Sequence, residues 1–242
     1  MKSKRSRLDR FLSQKLSINR RDTRLLLAQG RVWVDRQPAI SIQQAVDEYT
    51  HVQFDQQILQ DNKPCYIQLH KPKGVVSATK DLKHTTVVDL LPDSKPNNLH
   101  IAGRLDYNST GLLLLTNDGR WSRRLSEPSS RIKKRYLVTL DKAITQSVID
   151  AFQTGIYFAY ENLTTLPATL KLLSPVKAEV SLQEGRYHQI KRMFGHFQIE
   201  VLTLHRLSVG NLQLDPDLSE GESRHLNNHE VKSIFIVESD KQ

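Results

Sequence analysis

The segment from His100 to Gly119 constrains the fold most strongly, because it combines a short apolar stretch, a polar turn and a run of four leucines within twenty residues. It runs His-Ile-Ala-Gly-Arg-Leu-Asp-Tyr-Asn-Ser-Thr-Gly-Leu-Leu-Leu-Leu-Thr-Asn-Asp-Gly. The pattern predicts a strand that ends near Ala102, a tight glycine turn, and a second strand over residues 111–116 closed by an Asn-Asp-Gly turn. A loop carrying one arginine and one carboxylate is therefore predicted between two strands.

Arg104 and Asp106 lie in this predicted loop, at a strand end where side chains can reach into a cleft. Each has two interpretations. A carboxylate such as Asp106 is a surface or turn residue in most loops and a catalytic group in some. Arg104 is explained equally well by a buried salt bridge and by a binding role. The residues alone leave these alternatives open.

Positive charge is concentrated at the start of the chain. The sequence has 35 lysines and arginines against 26 aspartates and glutamates, and residues 1–36 alone hold eleven basic and three acidic side chains. Such a segment predicts a polyanionic partner. Nucleic acid is favoured over a membrane because no apolar run approaches the ~18 residues that a membrane span requires. A merely solvated basic face is the alternative.

Cysteine and histidine usage argues against a disulfide framework and a metal site. Cys65 is the single cysteine, and the nine histidines show no zinc-ligand spacing. The opening Met-Lys-Ser-Lys-Arg-Ser-Arg lacks the apolar segment of a signal peptide. We therefore expect a cytoplasmic or similarly reducing location.

The first 56 residues predict a small unit of helices and strands. Apolar side chains at helical spacing predict a helix over residues 8–16 and a second one between Asn19 and Gly30. Short strands are expected at residues 31–35 and 51–55. Residues 57–64 are polar and end in a proline, so they predict a linker.

Residues 65–242 predict a single α+β domain with many strands. The strands are expected at residues 66–71, 136–140, 177–182, 201–207 and 233–238. Helices are expected at residues 120–125, 145–152 and 189–197.

Two sets of motifs resemble known families. The Arg-Leu-Asp-Arg-Phe-Leu opening and the Gly-Arg-Val-Trp-Val-Asp segment resemble the S4 RNA-binding domain. Gly-Arg-Leu-Asp followed by Ser-Thr-Gly-Leu-Leu-Leu-Leu-Thr-Asn-Asp-Gly resembles the catalytic motif of the RsuA-type ribosomal pseudouridine synthases, the group that also contains the RluB, RluE and RluF enzymes. The resemblance implies an α+β chain with a small α/β S4 domain over residues 1–56, a linker over 57–64, and a catalytic domain with a mixed, mainly antiparallel sheet over 65–242.

Pseudouridine formation breaks the bond between uracil N1 and the ribose, turns the base and rejoins it through C5. One ionised carboxylate is sufficient, acting at C1′ as a nucleophile or at C2′ as a base. The resemblance assigns this role to Asp106 and implies a reaction without a metal or cofactor. A carboxylate covered by a base needs a fixed cation nearby to keep its charge. In Glu-Gly-Arg-Tyr-His-Gln-Ile-Lys-Arg-Met-Phe, residues 184–194, the matching family residue is Lys191, although a basic helix start bound to solvent or phosphate is the alternative.

The resemblance also implies residues that contact the RNA. Tyr136 matches the family tyrosine that stacks on the target base, whereas an aromatic ring at a strand start is otherwise a core residue. Arg104 matches the arginine that fills the gap left when the uridine leaves its stack. The Lys-Pro-Lys-Gly turn after the first strand of this domain is favoured as scaffold. The arginines expected to contact RNA are Arg104, Arg7, Arg20, Arg21, Arg24, Arg31, Arg124 and Arg135. The basic segment from Arg120 to Arg135 is also expected to contact the RNA backbone and to position it without reading its sequence.

The resemblance predicts a monomeric enzyme that isomerises one uridine of ribosomal RNA. The sequence of residues 184–194 is more similar to that of the branch that acts on 16S RNA of the small subunit than to that of the large-subunit enzymes. Two alternatives are a 23S-specific enzyme of the same family and a non-catalytic factor that only clamps ribosomal RNA during assembly. The combination of Asp106, Tyr136 and Lys191 favours an enzyme, because a pure binding protein has no use for a carboxylate facing phosphates.

Overall fold

The computed structural model describes residues 5–93, 95–96 and 98–236. The chain divides into two compact units, one over residues 1–64 and one over residues 65–242. In the first unit, residues 5–64 form two helices and six short strands. These are β1 (Ser6–Arg7), α1 (Leu8–Leu16), α2 (Asp22–Ala28), β2 (Val32–Val34), β3 (Gln37–Pro38), β4 (Ala45–Val46), β5 (Val52–Phe54) and β6 (Gln57–Gln60).

The first unit has its own apolar core between its helices and its sheet. Leu8 and Leu12 of α1 are fully buried, and they pack with Val32 and Val52 of the strands. The sheet has the order β3-β2-β5-β6 with antiparallel neighbours, and β1 pairs separately with β4. The two predicted helices are confirmed, as are the strands near residues 31–35 and 51–55.

The predicted linker over residues 57–64 is too long. Gln57–Gln60 form β6, which pairs with β5 in an antiparallel hairpin that turns at Asp55, a residue with a φ of 51°. The glutamines of β6 made this stretch look like a linker, although polar residues are common on a strand at a sheet edge. The segment that joins the two units is therefore short and follows Gln60.

The second unit is built around a nine-stranded sheet. Its strands are β7 (Tyr66–Lys71), β8 (His100–Ile101), β9 (Thr110–Thr116), β10 (Lys134–Leu140), β13 (Thr169–Ser174), β14 (Lys177–Leu182), β15 (Val201–Val209), β16 (Leu212–Gln213) and β17 (Ser223–His225), and β11 (Tyr157–Phe158) with β12 (Leu163–Thr164) forms a separate hairpin. The helices are α3 (Gly119–Ser126), α4 (Gln146–Thr154), α5 (Gln189–Gly195) and α6 (Asn228–Ser233).

The main path of the sheet runs β13-β14-β10-β15-β9-β7-β17, and β15 with β9 is its parallel pair. The predicted mixed, mainly antiparallel sheet is thus confirmed. Strand β9 lies in the middle, and its four leucines are completely buried. Leu113 and Leu115 face a core that includes α4 and α5, whereas Leu112 and Leu114 face a core that includes α3. A continuous apolar run is what a strand covered on both faces requires.

One strand prediction is wrong. Residues 233–238 were expected to form a strand, but α6 occupies Asn228–Ser233. The Asn227 side chain accepts a hydrogen bond from the Glu230 N–H, and the Glu230 carboxylate accepts one from the Asn227 N–H, which is a complete capping box. This cap starts a helix that ends at Ser233, and the apolar residues 234–236 that follow it belong to no strand. Residues 237 and 238 lie outside the described residues.

Candidate active site

Asp106 lies in the loop between β8 and β9, and this loop is anchored on both sides of the carboxylate. Before it, the Ser77 hydroxyl donates to the Leu105 carbonyl at 2.6 Å and accepts from the Leu105 N–H at 3.1 Å. After it, Lys71 Nζ donates to the Ser109 carbonyl at 2.9 Å. The backbone is therefore fixed, while the Asp106 side chain keeps 28% of its surface exposed.

Two buried cations, Arg206 and Lys71, donate hydrogen bonds to backbone carbonyls at the loop. Arg206 is 1% exposed, and it donates from Nη2 to the Gly103 carbonyl at 2.9 Å and from Nε to the Leu112 carbonyl at 2.6 Å. Lys71 is completely buried, and burial lowers the pKa of its ammonium to about 8, although the Asp106 carboxylate opposes this shift. Within the described residues, neither cation forms an ion pair, so backbone carbonyls satisfy both.

A pocket of about 80 Å³ opens beside Asp106. It is lined by Arg104, Leu105, Asp106, Ser109, Tyr136, Leu182, Gly185, Arg186, His188, Gln189, Ile190 and Leu204. Pockets for drug-sized ligands measure roughly 300–1,000 Å³, so this one suits a single flat ring better than a large ligand. Apolar walls with a carboxylate and arginines at the edge fit a base joined to a charged backbone.

Among the residues that the structure describes, His188 is the side chain that contacts the Asp106 carboxylate, and this contact is an ion pair when the imidazole is protonated. Its Nε2 lies 3.3 Å from Asp106 Oδ1. His188 immediately precedes α5 and has a left-handed backbone with φ 49° and ψ 31°, which a non-glycine residue seldom adopts. Such a conformation at a pocket wall is typical of a functional constraint on the side chain.

The predicted ion pair between Asp106 and Lys191 is not formed in this structure. Lys191 lies in the first turn of α5, next to Ile190, which lines the pocket. Its side chain is half-buried and has no ion pair in the part of the chain that is described. The position that sequence reasoning gave to Lys191 is taken here by His188, three residues earlier.

Tyr136 lies in β10, where its ring is a core residue and also lines the pocket. The ring is 7% exposed and packs into the apolar core with Val138 and Ile190. It also forms part of the pocket wall beside Asp106. The loop carboxylate and the strand tyrosine, thirty positions apart in the sequence, are thus brought to one pocket.

A buried carboxylate sets the position of Arg186. Glu184 is 5% exposed, and its Oε2 accepts a hydrogen bond from Arg186 Nε at 2.9 Å. Its Oε1 accepts from Gln189 Nε2 at 2.7 Å and from the Leu166 N–H at 2.8 Å. The terminal nitrogens of Arg186 donate to no group within the described residues. A guanidinium held this way presents free donors at the pocket edge.

The predicted RNA-contacting arginines fall into two groups. Arg104, Arg20, Arg21, Arg24 and Arg124 are exposed, and Arg124 lies 4.0 Å above the Phe235 ring. The others use their donors within the protein: Arg7 binds Asp9, Arg31 binds Asp55 through two nitrogens, and Arg135 binds Ser208, Glu179 and Gln213. The alternative of a buried salt bridge for Arg104 does not hold, since its side chain is exposed.

Sequence reasoning missed the roles of Lys71, Arg206, His188 and Glu184. For Arg206 a signal was present, because a charged residue in the middle of an apolar strand has to be compensated. For His188 there was none, because its contact depends on a left-handed residue and on a loop far away in sequence. Glu184 binds side chains only two and five residues away, but its burial and its contact with the Leu166 N–H arise only in the folded chain. No group of three or more His, Cys, Asp or Glu side chains in the described residues could hold a metal ion.

None of the described helices is both long and apolar enough to cross a membrane.

The model of the family described as RNA pseudouridylate synthase matches residues 65–196, which is more than half of the chain and includes the whole pocket apart from Leu204. The chain therefore belongs to this family of isomerases, and the resemblance of the Gly-Arg-Leu-Asp motif to the pseudouridine synthases is confirmed.

Curated relatives extend the similarity over nearly the whole chain. The ribosomal small subunit pseudouridine synthase A of Pseudomonas aeruginosa is 50% identical over 229 residues, covering 94% of this chain and 100% of the relative. The protein of the same name from Escherichia coli K12 is 37% identical and covers 94% and 99%. A crystal structure of a pseudouridylate synthase superposes with a TM-score of 0.69 at 33% identity, covering 94% of this chain and 99% of that one.

Proposed function

We propose that this pseudouridine synthase acts on one uridine of small-subunit ribosomal RNA and that Asp106 is its reacting carboxylate. The observation that carries the proposal is one pocket lined both by an anchored, partly exposed carboxylate and by a buried tyrosine ring. A uracil in this pocket would stack on Tyr136 and present its ribose to Asp106. Among the described residues, no other carboxylate lines the pocket.

The isomerisation is balanced without an external reagent. The bond between C1′ and N1 breaks, a bond between C1′ and C5 forms, C5 loses a proton and N1 gains one. Asp106 would start this sequence either by attacking C1′ or by removing the proton from C2′. Both routes need an ionised carboxylate at a fixed position. The anchors at Ser77 and Lys71 supply that position, and no step requires a metal or cofactor.

Lys191 and Arg104 complete the proposed machinery. Lys191 would supply the fixed charge that keeps Asp106 ionised once a base covers it, and its place beside Ile190 in the first turn of α5 supports this. Arg104 is exposed at the pocket edge, where it can fill the space left in the RNA by the extruded uridine.

The first unit is proposed to be an S4-like domain that binds structured RNA. Arg20 and Arg21 precede α2, Arg24 lies on it, and all three are exposed. We leave Arg7, Arg31 and Arg135 out of the proposed RNA surface because acidic or polar side chains occupy their donors. Phosphate contacts of this kind position RNA without reading its sequence. We also propose that the protein is a cytoplasmic monomer.

The small-subunit target rests on the names of the relatives and on the similarity over 94% of the chain. A large-subunit target is the alternative within the family. Mapping pseudouridines in both ribosomal RNAs, from cells with and without this protein, distinguishes the two. One uridine of 16S RNA should lose its modification and regain it when the wild-type protein is restored. A missing site in 23S RNA would move the target to the large subunit.

Asp106→Asn tests the chemistry. The amide keeps the shape of the side chain but cannot act as nucleophile or base, so turnover should fall below a few per cent while RNA affinity stays nearly unchanged. Asp150→Asn, an exposed position on α4, is the matched control and should be fully active. An Asp106→Asn enzyme with substantial activity would remove Asp106 from this role. If cells that lack the protein keep every pseudouridine in both ribosomal RNAs, the alternative of a non-catalytic binding factor is favoured.

A further inference from the structure

Tyr187 is an exposed aromatic residue between Arg186 and His188, two residues that line the active-site pocket. Its ring is stacked on the ring of His188, with centroids 3.9 Å apart and planes inclined by 18°. The residue is 76% exposed, so the face of the ring that does not touch His188 is open to solvent. His188 in turn contacts the Asp106 carboxylate at 3.3 Å. A layered series of contacts thus runs from the carboxylate through one ring to a second, outward-facing ring.

The charges around Tyr187 match those of a nucleic-acid ligand. Arg186, the preceding residue, is fixed by Glu184 through Nε and keeps its terminal nitrogens free of described partners. Arg104 is exposed on the same pocket. A flat ring with cations beside it can stack a base and contact the phosphates that join it to its neighbours.

We propose that Tyr187, backed by His188, is the stacking platform for the nucleobase next to the target uridine in the RNA. The inference rests on the proposed function, because it takes the pocket at Asp106 as the place of the target base. A base on the open face of Tyr187 lies one ring layer beyond His188, outside the pocket and beside Arg186. Every base has a π-face, so the platform holds the strand without selecting a sequence.

The platform acts in binding and not in the chemical step. Stacking of one base on an aromatic side chain contributes about 1–3 kcal/mol, which corresponds to about a 5- to 150-fold change in affinity. Tyr187→Ala should therefore raise KM and the Kd for RNA within this range while kcat stays within about twofold. Tyr187→Phe keeps the ring and should behave like the wild-type protein. A hydroxyl-dependent role would instead impair the Phe variant.

A double-mutant cycle between protein and RNA gives the decisive test. The RNA is a fragment of the ribosomal RNA that the full-length protein modifies, with an abasic residue placed in turn at each position around the target uridine. For the base that stacks on Tyr187, removal of the base and Tyr187→Ala should weaken binding to the same extent, and the two together should cost no more than either alone. The cycle is the appropriate measurement because single losses include reorganisation of both partners.

Tyr160→Ala is the matched control. Tyr160 is 95% exposed at the turn between β11 and β12 and does not line the pocket, so its loss should add independently to that of each abasic site. The proposed stacking on Tyr187 would be wrong if the losses of binding free energy from Tyr187→Ala and from the abasic residue were additive at every position. It would also be wrong if the coupling energy of Tyr187→Ala were no larger than that of Tyr160→Ala. If the wild-type protein forms no pseudouridine in any ribosomal RNA, the proposed function itself fails, which is a different result from product without coupling.

Discussion

At the scale of single residues, the sequence predicts which side chains line the candidate site better than it predicts which residues hold them in place. Asp106 and Tyr136 belong to local motifs, and the structure brings both to one pocket. Lys71 and Arg206 were not predicted in their roles, because their partners are carbonyl oxygens of a loop that lies up to 103 residues away in the sequence. Such contacts leave no trace in a local pattern of side-chain types.

Mutation can decide whether Lys191 or His188 is the side chain that keeps the Asp106 carboxylate ionised during the reaction. Lys191→Met should lower kcat by about tenfold or more at neutral pH, which corresponds to an activation barrier higher by roughly 1.4 kcal/mol, because no fixed charge would compensate the covered carboxylate. Lys191→Arg preserves the charge and should retain appreciable activity. Single-turnover rates measured with both variants separate the chemical step from binding. A Met variant with the wild-type rate would show that His188 is sufficient.

Lys71 predicts a pH dependence of stability with a definite sign. Burial lowers its pKa to about 8 from 10.5, so the unfolded chain binds more protons than the folded one between these values. Below pH 8 the buried charge therefore lowers the free energy of unfolding, and this destabilisation is lost as the pH rises towards 10.5. In urea unfolding, the free energy of the wild type minus that of Lys71→Met should increase from pH 8 to pH 10. Lys80→Met, at an exposed lysine, controls for the loss of a positive charge. A difference that stays constant or falls would contradict the buried charge.

At the scale of elements, apolar periodicity and turn residues predicted the long strands and helices of the catalytic unit. The run Leu112–Leu115 is buried on both faces and gave the strongest signal. Two-residue strands such as β11 and β16 have no periodicity of their own, since their pairing with a neighbouring strand creates them. The misassigned strand at residues 233–238 shows the same limit, because the described apolar residues 234–236 pair with no strand of the sheet.

Gly111 connects the central strands to the catalytic loop. It has a φ of 103°, and a Cβ there would lie 2.3 Å from the carbonyl oxygen of Arg206, whose side chain holds the Gly103 carbonyl. Gly111→Ala should therefore destabilise the fold by about 1–3 kcal/mol or more and lower kcat/KM by displacing the loop. Gly119→Ala is the control, since a Cβ at the start of α3 meets nothing within 4 Å. Urea midpoints and initial rates that are equal for the two variants would show that the β9–β15 contact does not position the loop.

At the scale of the whole molecule, the division into two units predicts a division of labour. Residues 1–64 hold twelve basic and seven acidic side chains, whereas the pocket lies entirely in residues 65–242. Composition predicted the basic first unit. It could not predict where that unit ends, because β6 is polar and is recognised only by its pairing with β5. A truncation that respects both units therefore begins at Cys65, after the strand that sequence reasoning placed in a linker.

Deletion of residues 1–64 should weaken ribosomal RNA binding and flatten its salt dependence. Each phosphate contact that is lost lowers the slope of log K against log salt by about 0.7–0.9, so loss of the three exposed arginines Arg20, Arg21 and Arg24 should reduce it by roughly 2–3. Full-length protein with all three changed to glutamine should show a similar reduction without removal of a domain.

The truncated protein should fold, since its sheet and both of its apolar cores lie within residues 65–236. At high concentration it should still modify a minimal RNA, because Asp106, Tyr136 and Lys191 remain. If the truncated protein binds with an unchanged salt slope, the first unit is not the main RNA-binding surface, and the basic segment from Arg120 to Arg135 of the catalytic unit takes that role.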